Sequence, residues 1–378
     1  MSFRKFINLT GLFILSSILL ITYSCKEGVA EPHLSVLTTE TLVKLQAASD
    51  KIITTYNAPG MVAYISVQGE GELFITRGVS NLATSEPMNP SNYWRIASVT
   101  KTFTTEAVLI LADEGKIDLN KSISSYLPEL KIPSGDKITV RMLGNMTSGL
   151  YNYTADFSND STIMSQVYLT YGQKTFTPEE LVASSFKHPL NFTPGSKYEY
   201  CNTNTVILGL LIKKVTGKTV SQVFSEKIFQ QLGMANTFWP SSRFLPYPYS
   251  HGYSFKTGSL LDETNWNPSW GDAAGILISN FNDLKIWIRE IYERNLLSAN
   301  MKEERFKWVD ENGKGEDFYG FGLMKYSGWI GHTGIIEGYN SVVFYYPEKQ
   351  ITVIAFTNCD DNQPAANTLL EFMKILTP

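Results

Sequence analysis

Ser98-Val99-Thr100-Lys101 puts a serine three residues before a lysine, directly ahead of a largely apolar stretch, Thr102 to Leu111. Three residues is close to one helical turn, so a helix beginning here sets hydroxyl and amine on one face. A serine is a poor nucleophile until a neighbouring base takes its proton, and a lysine partly desolvated in a cleft can be that base. The helix N-terminus adds partial positive charge where an acyl oxyanion would form. Beyond the N-terminal segment, two other Ser-x-x-Lys stretches lack this setting. Ser134-Gly135-Asp136-Lys137 follows Pro133 in a turn sequence, and Ser184-Ser185-Phe186-Lys187 runs into His188-Pro189. Only Ser98 opens a long apolar segment with a glycine C-cap candidate, Gly115. Taken alone, the pair reads as readily as the cap of a buried helix.

Three more segments carry chemistry. Ile138 to Leu143 leads into Asn145-Met146-Thr147-Ser148-Gly149-Leu150. Pro194 to Asn204 contains Tyr200-Cys201-Asn202. Gly331-His332-Thr333-Gly334 runs into Ile335-Ile336 and Glu337-Gly338-Tyr339-Asn340.

The elements that must hold these residues are legible in outline. Thr39 to Tyr56 has Leu42, Leu45, Ile52, Ile53 and Tyr56 on one helical face. Met61 to Val67 and Leu73 to Val79 read as a hairpin around Gln68-Gly69-Glu70-Gly71. The stretch from about 102 to 310 has helix-length patterns, including Ser221 to Leu232 and Ser279 to Glu293. Phe238 to Trp270 is aromatic and turn-rich without a clear period, and reads as a long loop over a cleft or a packed surface excursion. Gly322 to Trp329, Tyr339 to Tyr346 and Ile351 to Asn358 read as strands, and Asn362 to Leu376 as a closing helix. Strands at both ends with helices between them point to an α+β fold: an antiparallel sheet from both chain ends, flanked by helices, with an inserted helical lobe.

In order, Ser-x-x-Lys, Tyr-x-Asn and His-Thr-Gly resemble the serine β-lactamase and DD-peptidase superfamily. The resemblance is to its branch of class C β-lactamases, D-alanyl-D-alanine carboxypeptidases and class VIII esterases. It extends over roughly residues 40–376 and includes Phe229-Gln230-Gln231-Leu232-Gly233-Met234 and Gly271-Asp272-Ala273-Ala274-Gly275. It implies the β-lactamase/transpeptidase fold, no cofactor, and a small-molecule or peptide substrate. Ser98 then resembles the nucleophile, Lys101 its activating partner, and Tyr200 a proton shuttle whose phenolate a cationic Lys101 would favour. Asn202 resembles the amide that holds the acyl side. The backbone N–H groups of Ser98 and Ile335 map to the oxyanion hole, and His332, Thr333 and Gly334 to the opposite wall. Lys256-Thr257-Gly258 also fits the third element, but it sits in the turn-rich region with no long strand after it.

The resemblance implies acyl transfer to Ser98 followed by hydrolysis of an amide or ester, in a D-alanyl-D-alanine carboxypeptidase, penicillin-binding protein or β-lactamase manner. A class VIII-type esterase is the alternative, and a catalytically degenerate envelope scaffold a further one. Two departures bear on substrate. Position 332 is histidine where β-lactamases usually carry lysine, so a permanent positive charge is lost. Ile335 stands where carboxypeptidase relatives often place a hydroxyl for the substrate carboxylate.

The whole chain sets the remaining bounds. Its 378 residues are 43% hydrophobic and 18% charged, with a net charge of −4, ample for a large core and without the basic runs of a nucleic-acid binder. Arg4 and Lys5, the apolar run Leu9 to Ile21, and Ser24-Cys25 read as a signal peptide over residues 1–24. Cys25 stands at a lipoprotein cleavage position, although Thr22-Tyr23 departs from the usual pair there; plain secretion and an uncleaved anchor are the alternatives. This predicts an exported, envelope-located protein held to a membrane by lipid at Cys25. A tether over 25–36 would follow, then one hydrolase domain over 37–378, with a sheet lobe at about 37–97 and 315–378 and a helical lobe at about 98–314. Cys201 and Cys359 form no disulfide framework, and no His or Cys cluster has zinc spacing, so no metal is expected.

Overall fold

Gly60–Val67 is buried at every residue but Ser66, and Ile351–Thr357 throughout, as expected for largely apolar strands covered on both faces. The two strands pair antiparallel, with Val62 opposite Phe356 and Ile65 opposite Val353. Side chains alternate across a strand. Met61, Ala63 and Ile65 therefore join Leu45, Ile52, Leu369 and Phe372 of the helices Thr39–Tyr56 and Pro364–Leu376. Phe356 faces the other way, stacked on Trp94 at 5.0 Å and edge-on to Phe281 at 5.0 Å. In this computed structural model residues 35–256, 259–293 and 295–378 are described. The signal peptide, Cys25, nearly all of the tether, and Thr257-Gly258 lie outside the described residues.

Among the described residues nine strands form one antiparallel sheet. Its order is Glu86–Pro87, Gly71–Asn81, Gly60–Val67, Ile351–Thr357, Tyr339–Tyr346, Trp329–Ile336, Met324–Tyr326, Asp317–Tyr319 and Val309–Asp310. The sheet is thus built from both ends of the sequence, as the patterning predicts. The helices between them bury their central members on all sides. Thr100–Asp113 is buried from Thr100 through Leu111, and Asn202–Thr216 from Thr203 through Ile212. No helix among the described residues is long and apolar enough to cross a membrane.

Several elements differ from the sequence reading. Gly322 to Trp329 is not one strand: it breaks at Ser327-Gly328, both at positive φ (45° and 82°), so that Tyr326 pairs with Trp329 across a two-residue turn. The strand that follows, Trp329–Ile336, contains His332-Thr333-Gly334. Phe238 to Trp270 contains a hairpin, Tyr253–Lys256 with Ser259–Asp262, that its mixed sequence conceals. Ser221 to Leu232 is helical but passes through a π-turn at Ser225–Phe229. The helix expected from Ser279 begins at Phe281, because Asn280 caps it by accepting the Asp283 N–H at 3.2 Å.

Candidate active site

Ser98 sits in a short 3₁₀ turn, Ala97–Val99, that leads into the buried helix Thr100–Asp113. Ala97 has a φ of 48°, a left-handed conformation that costs a non-glycine residue energy and presents the next side chain at a sharp bend. The helix is fastened to the segment Ala273–Leu277. Thr104 Oγ1 donates to the Ala273 carbonyl at 2.6 Å, and Thr100 Oγ1 accepts the Leu277 N–H at 3.1 Å. Lys101 lies one turn in, fully buried, with Nζ 2.9 Å from Ser98 Oγ and 2.8 Å from the Ala274 carbonyl. The Gly271 to Gly275 stretch noted in the sequence therefore supplies carbonyls that anchor the serine helix.

Tyr200 stands over the same pair. Its ring centroid is 4.9 Å from Lys101 Nζ, and it lines the same cavity as Ser98. The loop that carries it is pinned from beneath by the Asn145 to Leu150 stretch. Glu199 N–H donates to the Met146 carbonyl at 3.0 Å, and Cys201 Sγ to the Leu150 carbonyl at 3.2 Å. Asn202 donates through Nδ2 to Thr154 Oγ1 at 2.9 Å, and its backbone N–H goes to Asn152 Oδ1 at 3.2 Å.

The strand Trp329–Ile336 supplies the opposite wall. It pairs with Met324–Tyr326 only as far as Gly331, so from His332 onward its outer edge is turned to the Ser98 turn. Close approach requires glycine at 334: a Cβ there would meet the Ile96 carbonyl oxygen at 2.3 Å and Ala97 Cβ at 3.1 Å. Ser98, Tyr200, Asn202, Thr333 and Ile335 together line a cavity of about 440 Å³, with Thr154, Tyr198, Trp270, Glu311 and Met324.

Two expected wall residues do not face this cavity. Gly334 acts through its lack of a side chain, as above. His332 is 1% exposed and turned away. Its Nδ1 lies 2.5 Å from the Thr333 carbonyl, which can only accept, so Nδ1 carries the proton and Nε2 accepts from the Tyr319 hydroxyl at 3.1 Å. Burial, with the nearby Lys101, pushes the His332 pKa down to about 3, so the ring is neutral.

The electrostatics correct another expectation. Burial holds the Lys101 ammonium well below the ordinary lysine range. Burial also pushes the Tyr200 pKa up, with Ser98 pulling it down less strongly. Burial thus disfavours both the Lys101 ammonium and the Tyr200 phenolate, which opposes the expected stabilisation of one by the other.

Sequence reasoning missed Glu311, Tyr198, Trp270 and Thr154. Tyr198, two residues before Tyr200, had the period-2 signal of a shared face. Glu311 sits in a segment with no pattern. Cys201 and Cys359 are free and buried. Among the described residues one group of side chains, Cys359, Asp360 and Asp361, is close enough together to hold a metal ion, and none of the three lines the Ser98 cavity.

Comparison with known proteins agrees with this geometry. The family model described as Beta-lactamase matches residues 45–375. A D-stereospecific amidohydrolase from Streptomyces sp. superposes with a TM-score of 0.78 at 30% identity, covering 86% of this chain and 97% of that one. A D-amino acid amidase from Ochrobactrum anthropi SV3 shares the fold, with a TM-score of 0.75 at 24% identity over 89% of this chain and 99% of its own. Penicillin-binding protein 4* of Bacillus subtilis is 24% identical over 315 residues, 78% of this chain and 67% of its own length. Protein flp of Staphylococcus aureus is 21% identical over 310 residues, 78% of this chain; the match spans only 59% of its length.

Proposed function

Because the chain belongs to the beta-lactamase family of penicillin-binding-like serine hydrolases, we propose that it cleaves small amides or esters through an acyl-enzyme on Ser98. The observation that carries this reading is the buried Lys101 amine 2.9 Å from Ser98 Oγ, its charged form disfavoured by burial. As the Ser98 oxygen bonds to the substrate carbonyl carbon, its proton passes to Lys101. The backbone N–H groups of Ser98 and Ile335 stabilise the oxyanion. When the bond from carbonyl carbon to nitrogen or oxygen breaks, the leaving group takes a proton through Tyr200. Water then attacks the acyl carbon, gives a proton to the same Tyr200–Lys101 pair, and Ser98 leaves with its proton restored. Asn202 holds the acyl side.

The substrate class follows from the wall. With His332 buried and neutral and Ile335 42% exposed in the cavity, that side offers no cation or hydroxyl beyond Thr333 for a substrate carboxylate. This favours an amidase or esterase over a D-alanyl-D-alanine carboxypeptidase or an efficient β-lactamase, and the likeness to a D-stereospecific amidohydrolase supports it. The test is hydrolysis of D- and L-phenylalanine amide, an acyl-D-alanyl-D-alanine peptide and penicillin, with Ser98→Ala as blank. Faster cleavage of the D-amide than of the other three supports the reading; faster release of D-alanine or faster consumption of penicillin overturns it.

We also propose an envelope location with lipid at Cys25, supported by the basic, apolar and Ser24-Cys25 pattern. Cys25→Ser should move the protein from the membrane fraction to the soluble one, and an unchanged distribution contradicts lipidation.

A further inference from the structure

Glu311 is the one carboxylate, among the described residues, that lines the Ser98 cavity, and no lysine or arginine lines it with Glu311. It also lines a second cavity of about 780 Å³, which shares Tyr198 with the first. A small hairpin holds it there. The Glu311 N–H donates to the Asp317 carbonyl at 2.9 Å, and Tyr198 lines both cavities with it. Its acidic neighbours hold other groups, although Asp317 Oδ1 is buried without a hydrogen-bond partner. Asp310 takes the N–H groups of Asn312, Gly313 and Gly315 at 3.1, 2.8 and 2.8 Å, and Asp317 Oδ2 accepts from Asn312 Nδ2 at 3.2 Å. Glu311 has no ion-pair partner among the described residues. Arg141 and Lys197 border the second cavity, but Arg141 is paired with Glu304, and Lys197 Nζ lies over the Phe192 ring at 5.1 Å.

Glu311 shares both cavities with Tyr198, whose ring centroid is 5.6 Å from that of Tyr319, itself 6.2 Å from that of Tyr200, so it stands on the Tyr200 side of Ser98. That is the side from which a departing group collects its proton. Resting on the reading of Ser98 as nucleophile, we propose that Glu311 selects the charge of the leaving group: the site accepts one that is neutral or carries an amine and turns away one that carries a carboxylate. The selection is pH-dependent. Burial, helped by Asp317 and Asp310 and opposed by the Tyr198 hydrogen bond, pushes the Glu311 pKa up to about 7. The group is therefore largely neutral at about pH 6 and charged at about pH 8.

The test uses three N-acetyl-D-alanyl thioesters whose leaving thiol carries a trimethylammonium, no charge, or a carboxylate. Their kcat/KM values are compared on the full chain at pH 6 and pH 8. Ratios on one preparation cancel the folded fraction and the titration of Lys101. The expected preference for ammonium over carboxylate at pH 8 is about tenfold or more, shrinking at pH 6. Glu311→Gln should abolish the pH dependence of that ratio, and Glu311→Lys should invert the preference. A ratio near one in the wild type, or a preference that survives Glu311→Gln, overturns the inference alone. Failure to hydrolyse any of the three beyond the Ser98→Ala blank overturns the acyl-hydrolase reading beneath it.

Discussion

The Tyr319 hydroxyl lies 3.1 Å from Nε2 of His332, and that contact turns the one titratable side chain of the His-Thr-Gly element away from the cleft. The imidazole is neutral in the fold, with its pKa pushed from 6.5 to about 3 by burial. The unfolded chain, in contrast, takes up a proton below 6.5. Stability from this group is therefore present above about pH 6.5 and lost as pH falls toward about 3, by up to about 1.4 kcal/mol per unit. Urea unfolding of wild type and His332→Gln at pH 7, 6 and 5 should show a shallower acid loss in the variant. Parallel curves would contradict a neutral, buried His332.

In the proposed mechanism Lys101 sets the acid limb of activity. Its amine must be unprotonated to take the Ser98 proton, and burial lowers its pKa, so kcat/KM should rise and level off well below the ordinary lysine range. Lys101→Met should cost on the order of 10³-fold or more in kcat with stability largely kept. A wild-type profile still climbing toward pH 10 would contradict a lowered Lys101 pKa.

Gly334 governs how closely the wall approaches Ser98. The Ile96 carbonyl that a Cβ would strike also accepts from Ser341 Oγ at 2.9 Å, so it is not free to retreat. Gly334→Ala should lower stability by about 1–3 kcal/mol and separate the Ile335 N–H from Ser98, costing activity beyond the loss of folded protein. Unchanged kcat/KM in the folded variant would show that the two oxyanion donors lie elsewhere.

Arg305 and Glu106, both fully buried, form an ion pair behind the serine helix. Arg305 Nη2 also donates to the Thr102 carbonyl at 3.3 Å. Glu106→Gln should destabilise by about 3–5 kcal/mol because it strands a buried guanidinium. The double variant Glu106→Leu with Arg305→Met should cost less than the sum of the single changes. Strict additivity in chemical unfolding would contradict a coupled pair.

What the sequence disclosed and what it hid have separate physical causes. The helix Thr39–Tyr56, the Gly60–Asn81 hairpin and the two-faced strands are legible because burial imposes a period on them. Ser98, Lys101, Tyr200, Asn202 and Thr333 are legible because their spacing follows a motif, and the fold brings them to one cavity or its floor. The orientation of His332 is not in the motif. It depends on Tyr319, thirteen residues upstream on a different strand, and on how deeply the strand is buried. Glu311 is hidden for another reason: its hairpin is made of two- and three-residue strands, Val309–Asp310 and Asp317–Tyr319, too short to show an alternation. The desolvation of Lys101 and Tyr200 was likewise out of reach, since residue types do not reveal burial.

The central claim is an acyl-enzyme on Ser98, and quenched-flow mass spectrometry of the protein mixed with a 4-nitrophenyl ester of an N-acylated D-amino acid tests it most directly. The account predicts a burst of nitrophenol matched by an acyl adduct on the peptide containing Ser98, and neither in Ser98→Ala. Turnover that survives Ser98→Ala, or a kinetically competent adduct on another residue, would contradict it.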